Sequence, residues 1–217
     1  MTRAVTLRAV RANQRDFDVA FFERDARFAP IAAVARLVVS GEGWPSVERI
    51  DELLHRDAGV RFVVAHPRPR RQRGPVDVED LYDARIARGE VPTRERSWHD
   101  LLNALVWATF PRAKAALHAR QHHAIRAWAG ASVVRRLPNA RTRELDALAL
   151  VDEGSVLVCT DGRALFGHAL YEGLVFRTPA MIARAVVLGG PLADADALLA
   201  ARLGEPLLPE HLPRVAC

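Results

Sequence analysis

The chain has 217 residues, half of them hydrophobic, a mean hydropathy near zero and a formal net charge of +5. That length fits one compact unit, residues 1–217, with a real core, and no run approaches the roughly 18 consecutive apolar residues of a membrane span. The two cysteines, Cys159 and Cys217, have no metal-type spacing, which excludes a cysteine-based metal site and points to a reducing, cytoplasmic setting.

The opening MTRAVTLRAVRANQRDFD is basic but lacks an apolar h-region, so no secretory signal is expected. FAPIAAVARLVV (28–39) reads as a helix starting near Pro30, with Ile31, Val34, Leu37 and Val38 on one face. Ser46 caps a second helix, VERIDELLHR, which Asp57-Ala58-Gly59 stops. VRFVVAH (60–66) is β-branched and apolar and reads as a buried strand. PRPRRQRGP (67–75) holds three prolines and four arginines and reads as a flexible, exposed basic loop.

DVEDLYDARIARG (77–89) places acids first and arginines last, matching a helix macrodipole, with Gly89 at its C-cap. Ser97 caps a helix running to Phe110, and Pro111 opens the next, which Gly130 ends. LDALALV and SVLVCT, separated by Asp152-Glu153-Gly154, read as a hairpin over 146–160. Asp161 then caps a short helix, 162–172. A strand at 183–188, a helix at 194–204 and a Pro-rich C-terminal tail, 205–217, complete the chain. This order predicts a helix-rich α+β domain whose small sheet (60–66, 146–160, 183–188) is covered by helices.

The helix 98–110 is apolar almost all round, so it is expected to be buried, yet it carries His99, Asp100 and Asn103. Buried polar groups need partners. Asp100 fits a local cap; His99 fits an acid/base or ligand on a pocket floor, with Asn103 orienting it. Lys114 is the one lysine among 31 basic residues and follows Pro111 by three positions, where a helix N-terminus and an ammonium attract anions. His168 and Glu172 are four apart, a spacing that holds a metal or shares a proton, or forms an ordinary ion pair. His118, His122 and His123 lack the glutamate of a metalloprotease helix and read as surface histidines. Arg68, Arg70, Arg71 and Arg73 could neutralise nucleic-acid phosphates, with no accompanying aromatic pattern. Phosphate loops and nucleophile elbows are missing from the sequence, which lowers the standing of kinases, nicotinamide enzymes and α/β-hydrolases.

Three stretches together resemble a known family. SWHDLLNALVWATFPRAKAAL is similar to the W-H-D-x-x-N-A-L-V-W-x-x-F-P-x-x-K-x-x-L signature of a bacterial family of unknown function, DUF3025. RELDALALVDEGSVLV resembles its R-x-x-D-A-L-x-x-x-D-E-x-G segment, and FGHALYE its G-H-A-L-x-E helix. The likeness implies that His99, Asp100, Asn103, Lys114, Asp146, Asp152, Glu153, His168 and Glu172 fall on motif positions. It also implies a protein of Gram-negative bacteria; it supplies no activity.

The expectation is a single cleft where helix 98–110 meets the hairpin and the helix 162–172. There His99, Asp100, Asn103, Lys114 and His168 would act on a small anionic, phosphorylated substrate as a hydrolase or transferase. Asp146, Asp152, Glu153 and Glu172 could hold a divalent metal ion. Two other readings stand beside it: a non-catalytic module binding nucleic acid or protein, and a buried polar network that specifies the fold.

Overall fold

The computed structural model describes residues 17–39, 41, 43–65, 81–129 and 142–217. Helix α1 (Ala29–Val38) buries Ile31, Ala35 and Val38. Helix α2 (Val47–Ala58) starts where Ser46 Oγ accepts the Arg49 amide and stops at Gly59, whose left-handed φ of +68° favours a residue without Cβ. Strand β1 (Arg61–Val64) follows, then α3 (Tyr82–Ala87) and a strand the sequence did not announce, β2 (Glu90–Thr93), paired parallel to β1 with Phe62 opposite Val91.

Helix α4 (Trp98–Thr109) is the centre of the molecule. Ser97 Oγ accepts the Asp100 amide at 3.3 Å to start it, and eight of its residues, from Trp98 to Trp107, are buried. It packs on α1, α2, helix α5 (Pro111–Ala129) and helix α7 (His168–Val175). The all-round apolar pattern has this simple cause: every face of α4 meets another element.

The predicted hairpin over 146–160 gives way to something different. Residues Arg143–Gly154 form helix α6, capped where Thr142 Oγ1 accepts the Leu145 amide, with Leu145, Leu148 and Val151 buried. Only Ser155–Val158 is strand (β3), and its hairpin partner is β4 (Arg163–Leu165), so Asp161 opens no helix; it accepts the Leu192 amide instead. Strand β5 (Ile182–Val187) pairs parallel to β3, and β6 (Arg214–Ala216) adds antiparallel to β5. The order β4-β3-β5-β6 therefore takes the chain's last residues into the sheet, where the sequence reading left a tail. Helix α8 (Ala195–Arg202) lies against α5. The result is the expected α+β class, with a two-stranded and a four-stranded sheet and one large shared core.

No helix among the described residues is long and apolar enough to cross a membrane. The basic loop 67–75, with Arg68, Arg70, Arg71 and Arg73, lies outside the described residues.

Candidate functional site

Two junctions build the site. The first turn of α4 presents His99 and Asp100, with Asn103 one turn on. The end of α6 presents Asp152 and Glu153, and the start of α7 presents His168, with Glu172 a turn later. Gly167 makes the second junction possible. A Cβ there would stand 2.4 Å from the Ser155 nitrogen and 2.6 Å from the Glu153 carbonyl carbon, so only glycine lets α7 begin against the end of α6.

The two imidazoles meet across this gap. Their Nε2 atoms lie 3.1 Å apart, with the rings edge to face. His168 Nδ1 donates to the Asp152 carbonyl at 2.9 Å. A carbonyl only accepts, so the Nδ1 proton is fixed and the neutral ring's lone pair sits on Nε2. His99 Nδ1 donates to the Glu172 carboxylate at 3.2 Å, which points its Nε2 at the same spot. Glu153 Oε2 is 3.5 Å from His168 Nε2. Two facing lone pairs repel, and either a proton on His99 Nε2 or a cation between the rings removes the repulsion.

Electrostatics separate the two rings. The Glu172 hydrogen bond, with the nearby Glu153 charge, raises the His99 pKa against the effect of burial. Burial pushes His168 down to about 3, aided by the positive charges of Lys114 and His99 and opposed by Asp152. Glu153 is raised by burial and by the neighbouring Asp152 charge. The His168 shift makes stability pH-dependent. Between about pH 3 and its unfolded value of 6.5, the unfolded chain binds a proton that the folded chain refuses. The contribution is intact above 6.5 and is lost as pH falls, at up to about 1.4 kcal/mol per pH unit. Urea unfolding between pH 6.5 and 4.5 should show this slope, and His168→Gln should flatten it; an unchanged slope in that variant contradicts a neutral buried His168.

Behind the imidazoles runs a buried polar chain. Lys114 is fully buried, and its Nζ donates to Asp152 Oδ1 at 2.5 Å and to Asn103 Oδ1 at 2.7 Å, while lying 5.5 Å from the Trp107 ring centre. Asn103 Nδ2 in turn donates to the Tyr82 hydroxyl at 3.3 Å. Burial alone would raise the Asp152 pKa, but the Lys114 charge, with lesser help from His168 and His118, holds it well below the usual carboxylate range. Burial likewise raises Tyr82 and keeps it a neutral phenol.

The site opens into a cavity of about 380 Å³ walled by Tyr82, Arg85, Arg94, His99, Glu153 and His168, among others. Asp100 fixes Arg94 there, accepting from its Nε at 2.7 Å, its Nη2 at 2.8 Å and its backbone amide at 2.7 Å. A larger cavity of about 630 Å³ lies on another face, bordered by Phe110, Val156, Leu165 and Leu192, and holds none of these groups. The clustered titratable groups line the smaller cavity.

The expected cleft is therefore present, and it gathers His99, Asn103, Asp152, Glu153 and His168, with Glu172 braced behind His99. Several expected roles change. Asp146 is exposed on α6, outside the cavity wall, because the segment is helical and its side chain turns away. Asp152 pairs with Lys114 and Glu172 with His99, and neither carboxylate belongs to the group of converging donor atoms, His99, Glu153 and His168. His168 and Glu172 do not share an ion as a pair. Lys114 cannot meet an incoming anion, since it is sealed as the counter-charge of Asp152. Asp100 holds Arg94 through both carboxylate oxygens. His118, expected at the surface, is buried, stacked on Trp107 at 5.4 Å and bonded to Asp83 at 3.0 Å. Tyr82 and Arg94 were missed. The sequence hint for Tyr82 is a lone aromatic in a helix rich in acids and arginines.

A family model described as "Protein of unknown function (DUF3025)" matches residues 70–166. The resemblance is thus shown over the segment holding His99, Asp100, Asn103, Lys114, Asp152 and Glu153, while His168 and Glu172 lie just past its end. No significant match to a curated protein or to a solved structure was found.

Proposed function

We propose that the chain is a cytoplasmic hydrolase acting on a small anionic, phosphorylated substrate in the 380 Å³ cavity. The observation that carries this reading is the meeting of His99 and His168 with Glu153 at a cavity wall that also holds Arg94. A scaffold has no need to aim two imidazole lone pairs at one point beside a half-exposed carboxylate. Arg94, held flat by Asp100, offers a planar fork to phosphate oxygens. A water in the corner is placed to attack phosphorus. Its oxygen forms the new P–O bond as the bond to the leaving oxygen breaks, its proton passes to Glu153, the leaving oxygen takes a proton from cavity water, and the hydroxide so formed recovers the proton from Glu153. Burial and the Asp152 charge raise the Glu153 pKa, which makes it a stronger base than an ordinary carboxylate.

The buried Lys114–Asp152–Asn103 chain supports a second role within the same reading. It fixes the end of α6, and with it the carbonyl that orients His168.

The test is turnover of p-nitrophenyl phosphate, bis-p-nitrophenyl phosphate and nucleoside phosphates by the full chain, with and without divalent salts. Activity is expected on at least one, with Arg94→Gln raising KM by about tenfold, the order of one lost charge-assisted hydrogen bond. No turnover under any condition, or a KM indifferent to Arg94, contradicts the proposal.

A further inference from the structure

The two Nε2 atoms and the Glu153 carboxylate converge on one corner, where a metal ion can take the place of a proton shared between the rings. We infer that the corner binds one first-row transition-metal ion through Nε2 of His99, Nε2 of His168 and a carboxylate oxygen of Glu153. This deepens the hydrolase reading, on which its catalytic consequence rests, though the binding itself rests only on the local geometry.

Donor spacing is the first support. The three candidate ligand atoms lie within 4.8 Å of one another. An ion at the usual 2.0–2.1 Å from two imidazole nitrogens in tetrahedral geometry separates them by about 3.3 Å. The observed 3.1 Å is close to that separation. Glu153, half exposed at the end of α6, closes onto the third position by side-chain rotation.

The groups behind the ligands are the second support. Metal-bound histidines donate their other ring N–H to a carboxylate or a carbonyl, which fixes the tautomer. His99 has the carboxylate of Glu172, and His168 has the carbonyl of Asp152. Both rings are thus set as ligands before any ion arrives. Lys114 covers the Asp152 carboxylate, so that charge does not compete for the ion.

The donor set also selects the ion. Two nitrogens and one carboxylate suit zinc, iron(II), cobalt or manganese, whereas magnesium prefers an all-oxygen shell. Three protein ligands leave coordination positions facing the cavity, where a bound water would become acidic near neutral pH. The oxygen of Glu153 not used for binding keeps its place as proton acceptor.

The experiment is isothermal titration of the EDTA-stripped full chain with zinc chloride and, separately, magnesium chloride, alongside cobalt(II) absorption. Zinc is expected to bind at one ion per chain, and cobalt to give the visible bands of a nitrogen-ligated, low-symmetry site. Affinity for zinc should fall on the order of 100-fold in His99→Asn and at least tenfold in Glu172→Gln, which loses only the brace behind His99. Glu153→Gln, at a half-exposed position, guards against a folding artefact and should also weaken binding. Zinc uptake unchanged in His99→Asn and Glu153→Gln would mean that other histidines bind it and would overturn the site. Substoichiometric zinc, or magnesium bound as tightly as zinc, would overturn it too. Phosphatase activity that persists in the stripped protein without zinc binding would sink the metal site and leave the hydrolase reading standing. Zinc bound as described with no turnover of any phosphate ester would do the reverse.

Discussion

Lys114→Met should destabilise the fold by about 3–5 kcal/mol, the effect of leaving a buried charge without its partner. Nζ of Lys114 is completely shielded from solvent and makes its hydrogen bonds to Asp152 and Asn103. Methionine fills nearly the same volume against Trp107, so packing loss is a minor part of the change. The loss arises because Asp152 must then either remain ionised in a poor dielectric or take up a proton. A double-variant cycle separates these contributions. Lys114→Met combined with Asp152→Leu removes both charges and should recover most of the lost stability, since apolar replacements of buried ion pairs are often neutral or better. Urea denaturation of the three variants measures this. A cost below about 1 kcal/mol for Lys114→Met would show that Asp152 is well solvated, against the buried chain described above.

Glu153→Gln should do the opposite, abolishing function while sparing the fold. Its side chain is 49 % exposed, so no core contact depends on it. Burial and Asp152 raise its pKa, which means that the folded protein disfavours the ionised form. For a carboxyl with a raised folded pKa, stability is fully present at low pH and declines as pH rises through the unfolded value. At pH 7 glutamine should therefore leave the urea midpoint unchanged or slightly higher. Turnover, by contrast, should fall by about 10²–10⁴, the usual effect of losing a general base. A variant that gains stability while losing activity marks a residue kept for chemistry. Equal turnover in Glu153→Gln and the parent would remove Glu153 from the mechanism.

These two positions show which parts of the molecule were legible in the sequence. The caps were. Ser46 and Ser97 start helices because their hydroxyls accept a backbone N–H three residues on, and that is a local rule. The buried helix around Leu102 and Trp107 was also legible, since a helix without a polar face must be surrounded. The segment 143–154 was misread because its dense apolar residues satisfy alternation and a helical period alike. The tie-breaker was Thr142, followed by Glu144 and Asp146 in the first turn. Strand β2 escaped because Pro92 argues against a strand, yet in a two-stranded sheet it sits on an edge. The C-terminal strand escaped because three residues carry too little pattern; only its partner β5 makes it one.

For the site, the residue types were readable and their partners were not. His99 and Asn103 stand out as polar groups in an apolar helix, His168 by its spacing from Glu172, and Asp152 and Glu153 as motif positions of the family resemblance. Which carboxylate braces, which neutralises a lysine and which faces the cavity depends on how α6 and α7 turn their side chains toward α4. Misreading α6 as a hairpin carried Asp146 wrongly into the candidate metal set. Lys114 was noticed for its rarity, but its burial follows from α5 packing on α3, α6 and α8, which no local pattern reveals.

Nitrogen-15 NMR of the histidine side chains reads the corner most directly. His168 is expected as a neutral ring protonated on Nδ1 down to about pH 4, and added zinc should shift Nε2 of His99 and His168 together, at the same stoichiometry. A His168 protonated on Nε2, or two rings that respond to zinc independently, would contradict the shared site.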